Sequence, residues 1–220
     1  MNKTAILIDG GFYRKCYRHM YPDAVAHSAE AVARNICTAA MKHLASGFEL
    51  YRIFYYDCLP YGQRQHYPIS KKSVDFSKSA LHSESLALFE ELKKKRKVAL
   101  RLGKIKDRGN WQIFPEKLKA LFKGEMRFED LQDSDLFYEL RQKGIDMKIG
   151  VDIASLALKK QVQQIVLISG DEDFVPAAKL ARREGIDFIL DPLWRPIDPN
   201  LFEHIDGLQS TSPKSVRKKV

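Results

Sequence analysis

The sequence predicts an α/β protein with a mainly parallel central sheet and helices on both faces. Three observations carry this reading. Short, nearly continuous apolar runs recur at 4–8, 50–56, 98–102, 165–168 and 186–190, as expected of strands buried on both faces. Stretches with helical spacing separate them. Several runs also end at or just before an aspartate: Asp9, Asp57, Asp171 and Asp191. In an open parallel sheet all strand C-termini share one edge, which is where ligands bind.

Composition bounds the function. A chain of 220 residues with 45% hydrophobic and 30% charged content suits one sizeable soluble domain. No apolar run approaches the roughly 18 residues that a membrane span needs. The run after Met1 is too short for a signal peptide, so no membrane association and a cytoplasmic location are the expectations. Three cysteines, Cys16, Cys37 and Cys58, form no C-x-x-C pair, which predicts buried free thiols and not a disulfide or zinc framework. The net charge of +9 favours an acidic partner, with nucleic acid first. Lys214, Arg217, Lys218 and Lys219 supply four of those charges, leaving five for the rest.

Taken in order, the first run ends in Asp9-Gly10-Gly11-Phe12, where two glycines permit a sharp turn or a close backbone approach. Residues 28–44 read as a helix stopped near Gly47. The aromatic run 50–56 ends at Asp57, and Pro60, Gly62 and Pro68 then predict an exposed loop to about Val74. A helix is expected over 79–92, closing in the basic run Lys93–Lys97, whose cations suit a helix C-terminus. After the strand at 98–102 come Lys104, Lys106, Arg108 and Trp111, a basic and aromatic mix able to meet phosphates and a base. Residues 114–122 suggest a short helix, 127–135 an acidic surface turn, and 136–160 a mainly helical stretch broken at Gly144 and Gly150. Within it Ile145, Ile149, Ile153 and Leu156 form one apolar stripe that also contains Asp152. A carboxylate there needs a partner, either an arginine or a metal ion. The run 165–168 leads into Ser169-Gly170-Asp171-Glu172-Asp173-Phe174 and a helix through Leu180. Trp194 and Arg195 follow Asp191 at the same predicted edge. Residues 1–209 are expected to form one domain with a variable middle at 61–135, and 210–220 a basic, disordered tail.

Acids such as Asp171 and Asp173 at a strand-to-helix turn are also ordinary caps. Several carboxylates converging on one edge repel each other unless a cation compensates, and hard oxygen donors suit Mg²⁺ or Mn²⁺. A divalent ion with basic surface around it fits phosphodiester hydrolysis.

Three motifs stand in order: Ile8-Asp9-Gly10, then Lys143-Gly144-x-Asp146 with Asp152 six residues on, then Ser169-Gly170-Asp171-x-Asp173-Phe174. Together they resemble the NYN domain of the PIN-like nuclease superfamily, closest to its LabA-like bacterial branch. The resemblance implies a Rossmann-like three-layer α/β/α sandwich and metal-dependent, endonucleolytic cleavage of RNA. It implies Asp9, Asp152, Asp171 and Asp173 as catalytic ligands of Mg²⁺ or Mn²⁺. Asp146, Ser169 and Asp57 are supporting candidates, and Lys104, Lys106, Arg108, Trp194 and Arg195 are assigned to RNA contact. Many members carry Asn shortly after the first aspartate, where Gly11-Phe12 stand here. That departure keeps a non-catalytic RNA-binding module as the alternative, and an exposed sheet edge or the helix at 79–92 could support a homodimer in either case. A receiver domain would need paired acids after the first strand, and a haloacid-dehalogenase-type phosphatase would need D-x-D there. Gly10 and Gly11 supply neither.

Overall fold

The computed structural model describes residues 2–214. In chain order the elements are β1 (Asn2–Asp9), α1 (Gly10–Met20), α2 (Ala29–Met41), β2 (Phe48–Cys58), β3 (Arg64–His66), β4 (Ser73–Asp75), α3 (Ala80–Lys93), β5 (Val98–Ile113), α4 (Pro115–Phe122), β6 (Leu136–Lys143), α5 (Ile145–Leu158), β7 (Gln164–Ile168), α6 (Val175–Arg183), β8 (Asp187–Asp191), α7 (Pro199–Phe202) and β9 (Gly207–Leu208). Contacts divide them into two units. One comprises 2–58, Ala87–Gly103 and 144–214. The other comprises Leu59–Leu86 and Lys104–Lys143.

The first unit holds a parallel sheet in the order β5-β2-β1-β7-β8-β9. β1 lies at its centre, which explains why Ala5, Ile6, Leu7 and Ile8 are wholly buried. Alternation assigns the two faces. Ile6, Ile8, Ile53, Tyr55, Val166 and Ile168 pack with Tyr13, Tyr17, Ile36 and Phe89 from α1, α2 and α3. Helices α5 and α6 pack against each other, and α5 also meets β1 and β2. Its buried stripe is the expected Ile145, Ile149, Ile153 and Leu156. The chain is therefore the mainly parallel α/β architecture that the alternation of runs and helices predicts.

Three expectations give way to the structure. Helix α1 begins directly after Asp9, although its two leading glycines disguise it. Residues Leu136–Lys143 form a strand, not the start of a long helix. Phe137 and Tyr138 favour extended backbone, and β5 offers a full antiparallel ladder. The expected loop at 61–74 contains the hairpin of β3 and β4. At the C-terminus, residues 210–212 are fastened: Ser210 Oγ accepts from Trp194 N at 3.0 Å, and Thr211 Oγ1 donates to the Ala39 carbonyl at 2.9 Å. The rest of the expected tail, 215–220, lies outside the described residues. Cys16 and Cys58 are buried free thiols, whereas Cys37 is half-buried. Among the described residues no helix is long and apolar enough to cross a membrane.

In the second unit β5 continues beyond Gly103 and pairs antiparallel with β6. Tyr61, Tyr67, Phe76, Trp111 and Tyr138 form its aromatic cluster, with Tyr67–Trp111 centroids 4.6 Å apart and Tyr61–Tyr138 5.7 Å apart. Asp107 ties it together, accepting from the hydroxyls of Tyr138 at 2.6 Å and of Tyr61.

Gly10 is dictated by space. A Cβ there would stand 2.6 Å from the Tyr56 carbonyl and 2.7 Å from the Tyr55 ring. Overpacking of this kind costs about 1–3 kcal/mol. Gly10→Ala is expected to lose stability on that order in urea unfolding. Unchanged stability would refute the close approach.

Candidate metal centre

The acidic site is assembled from the starts of three helical segments in the first unit. Asp9 ends β1 and caps α1, its Oδ1 accepting from Phe12 N at 3.0 Å. Gly144 caps α5 with φ +81°, a left-handed conformation that a glycine adopts without strain, and this sets Asp146 in the first helical turn. Asp171 follows β7 and caps the 3-10 turn Glu172–Phe174, its Oδ1 accepting from Asp173 N at 3.1 Å. The turn carries Asp173 and leads into α6. Ser169, wholly buried, donates to Asp9 Oδ2 at 3.4 Å. β1 and β7 pair in register, Ile8 beside Ile168, so Asp9 and Ser169 leave the sheet at the same level.

These acids feel one another. The carboxyl of Asp146 is raised above its ordinary value, first by partial desolvation and then by the charges of Asp9, Asp171 and Asp173. That of Asp9 is raised by burial first, against the Phe12 N–H that favours its ionised form, and the nearby Asp57 raises it further. Asp57 is also raised by burial, although Arg14 opposes the shift. Its side chain is enclosed, with Arg14 Nη2 3.2 Å and Cys58 N 2.7 Å from Oδ1. Asp57 is thus a buried neighbour of Asp9 held by an arginine.

Two aspartates of the expected edge are engaged elsewhere. Asp152 is held by the chain itself, accepting from Tyr56 OH at 2.7 Å and Arg101 Nε at 3.0 Å. Its position in the apolar stripe is explained by that arginine, six residues along α5 from Asp146. Asp191 turns inward to His43, 2.9 Å away and equally buried, and also accepts from Leu193 N at 2.8 Å. Spacing encodes neither this pair, whose members stand 148 residues apart, nor Arg14, which lies on a helix that opens with two glycines.

Of the residues assigned to RNA contact, Lys104, Lys106 and Arg108 belong to the second unit. Trp194 is half-exposed, with left-handed φ of +65°. Its Nε1 donates to the Ser212 carbonyl at 2.7 Å and Lys214 Nζ lies 5.3 Å from its ring centroid. Arg195 is exposed beside it.

Phe12 occupies the neighbourhood where relatives are expected to carry Asn. Its ring lies so close to Gly170 that a Cβ on that glycine would be 2.9 Å from Cε2. The aromatic ring therefore packs against the loop that presents Asp171 and Asp173.

The NYN domain family model matches residues 3–192. The chain belongs to the NYN domain family. A NYN domain is a PIN-like nuclease fold, consistent with the parallel sheet and its acidic edge. No curated protein matches the chain. One solved structure is similar over 94% of this chain and 91% of its own: a protein of unknown function from Vibrio parahaemolyticus, 15% identical, with a TM-score of 0.47.

Among the described residues, no three His, Cys, Asp or Glu side chains are gathered into an ion-holding arrangement. The donor chemistry of Asp9, Asp146, Asp171 and Asp173 nonetheless fits a hard divalent cation, since all are carboxylates whose charges already act on Asp146. A carboxyl whose folded pKa is raised contributes stability below the ordinary carboxylate range and loses it as pH rises through the raised value. Without metal, Asp146→Asn is therefore expected to flatten the fall in stability from about pH 4 upward, because it removes one such group. Urea midpoints measured across that range in EDTA check this. A variant with the same pH slope as the parent would contradict the crowding.

Proposed function

We propose that this NYN domain is a metal-dependent ribonuclease that cuts RNA endonucleolytically at the site formed by Asp9, Asp146, Asp171 and Asp173. The observation that carries the reading is the placement of these acids at the starts of three helical segments, following the paired strands β1 and β7 and opening α5, close enough that the other three act on Asp146. Asp146 replaces Asp152 in the proposed ligand set, because Asp152 is already satisfied by Tyr56 and Arg101. A bound Mg²⁺ or Mn²⁺ would supply Lewis-acid polarisation of the scissile phosphate and a more acidic water. The protein's own contribution is positional. Phe12 N–H and Ser169 Oγ fix the two oxygens of Asp9. The Asp173 N–H fixes Asp171. Arg14 keeps Asp57 compensated, so a second buried acid is tolerated next to Asp9. Ser169 is a positioning residue in this scheme. The motif order further supports placement in the LabA-like branch and action on RNA in the cytoplasm.

Phe12 against Gly170 favours one other reading, an RNA-binding module on the same fold without turnover. Cleavage of a panel of single-stranded and structured RNAs by chelator-stripped protein separates the two. The ribonuclease reading predicts cutting restored by Mg²⁺ or Mn²⁺ and reduced at least about 100-fold in Asp171→Asn, the scale of losing a main electrostatic stabiliser. RNA bound in EDTA, with no cutting under either metal, would instead establish the binding module.

A further inference from the structure

The second unit carries a surface that the acidic centre does not use. In the ribbon of β5 and β6, Lys104 stands opposite Lys143 and Lys106 opposite Arg141. Like charges directly opposed across a ladder destabilise it, and neighbouring strands lie only about 5 Å apart. All four side chains are exposed and on one face, since successive members of each strand are two residues apart. Ile105 and Gln142 lie between the two rungs, and Asp107 and Tyr138, next along the ribbon, point to the other face, where Tyr61 and Phe76 pack. Arg108 stands near the same end of the ladder. The local acid is Glu139, buried, 2.7 Å from Arg141 Nε and 4.0 Å from Arg108 Nη1. Lys104, Lys106 and Lys143 have no ion-pair partner among the described residues.

Guarding a sheet edge explains cations on β6, which is the edge strand. β5 pairs with β2 only as far as Gly103, so at Lys104 and Lys106 it is an edge as well, but guarding two edges does not call for like charges set directly opposite one another. A folded chain that sets two cationic pairs side by side needs counter-charge from outside. Two rungs about 7 Å apart along the strands and about 5 Å across them form a small array of charges that suits successive phosphates better than a lone carboxylate.

We propose that this face of the β5–β6 ribbon binds the phosphate backbone of RNA, through Lys104, Lys106 and Lys143 with Arg141 and Arg108 beside them. That the polyanion is RNA rests on the ribonuclease reading; the surface itself does not depend on the acids. The face extends the RNA contact expected of Lys104, Lys106 and Arg108 to the opposite strand. Because the contacts are to phosphate, binding is expected to be tolerant of sequence and steep in salt.

The test is fluorescence anisotropy of a labelled single-stranded RNA of mixed sequence, in EDTA, over a range of KCl. The triple variant Lys104→Ala, Lys106→Ala, Lys143→Ala is compared with the parent. Each lost phosphate contact flattens the log–log salt slope by about 0.7, so the triple variant is expected to lose about 2 in slope and at least about tenfold in affinity at low salt. Its thermal stability is expected to be equal or higher, since two like-charge pairs are relieved. A control variant, Lys93→Ala with Lys94→Ala, removes lysines already paired with Glu90 and Glu91 on α3 and is expected to keep the parental slope. Unchanged slope in the triple variant, an equal loss in the control, or no RNA binding by the parent would each overturn the proposal. Cleavage assayed in parallel separates the two claims. Cutting that persists with an unchanged binding slope sinks the ribbon alone, whereas a flattened slope with no cutting under any metal sinks the nuclease reading alone.

Discussion

Carboxylate crowding at the C-terminal edge of the parallel sheet is the constraint on which the first unit depends. Asp9 follows β1, Asp171 follows β7, and Asp146 opens the helix that packs beneath them. Each acid satisfies backbone N–H groups or sits in a first helical turn, where negative charge is favoured. The same placement forces their charges together. Asp146 is raised by desolvation and then by the charges of Asp9, Asp171 and Asp173, whereas Asp9 is raised by burial and by Asp57. Single caps would have stabilised the same helices without this repulsion, which is in keeping with the metal-binding role proposed for the acids.

Neighbouring residues limit that repulsion. Arg14 reaches Asp57 from α1, and Arg101 with Tyr56 holds Asp152. These pairs divide the acids of this region into two kinds: Asp57 and Asp152, which the chain gives an arginine, and Asp9, Asp146, Asp171 and Asp173, which have no ion-pair partner among the described residues. The second kind is the proposed metal set. Glycine makes the geometry accessible at two points. Gly10 admits the Tyr56 carbonyl, and Gly144 takes the left-handed turn that starts α5. The inward pair of His43 and Asp191 serves a different purpose. It fastens Leu193 and Thr211 and so helps anchor the C-terminal segment that holds Trp194.

Much of this was legible in the sequence. The buried runs at 4–8 and 165–168 announced central parallel strands, and the stripe from Ile145 to Leu156 announced the inner face of α5. The three motifs pointed to Asp9, Asp152, Asp171 and Asp173 as ligands, with Asp146 as a supporting residue. What was hidden follows from interactions that spacing does not encode. The apolar stripe left Asp152 needing an arginine or a metal, and spacing does not encode that Arg101, 51 residues away on β5, reaches it. Residues Leu136–Lys143 carry no strong period, and only pairing with β5 selects a strand. Helix α1 was masked by Gly10 and Gly11, both poor helix formers, the first of them set by its close approach to Tyr55 and Tyr56.

The division of the aspartates is tested most directly by titrating Mn²⁺ into chelator-stripped protein and following free ion by electron paramagnetic resonance. The account predicts that Asp146→Asn abolishes or severely weakens binding while Asp152→Asn keeps it near the parental level. Loss of binding in Asp152→Asn with retention in Asp146→Asn would contradict it.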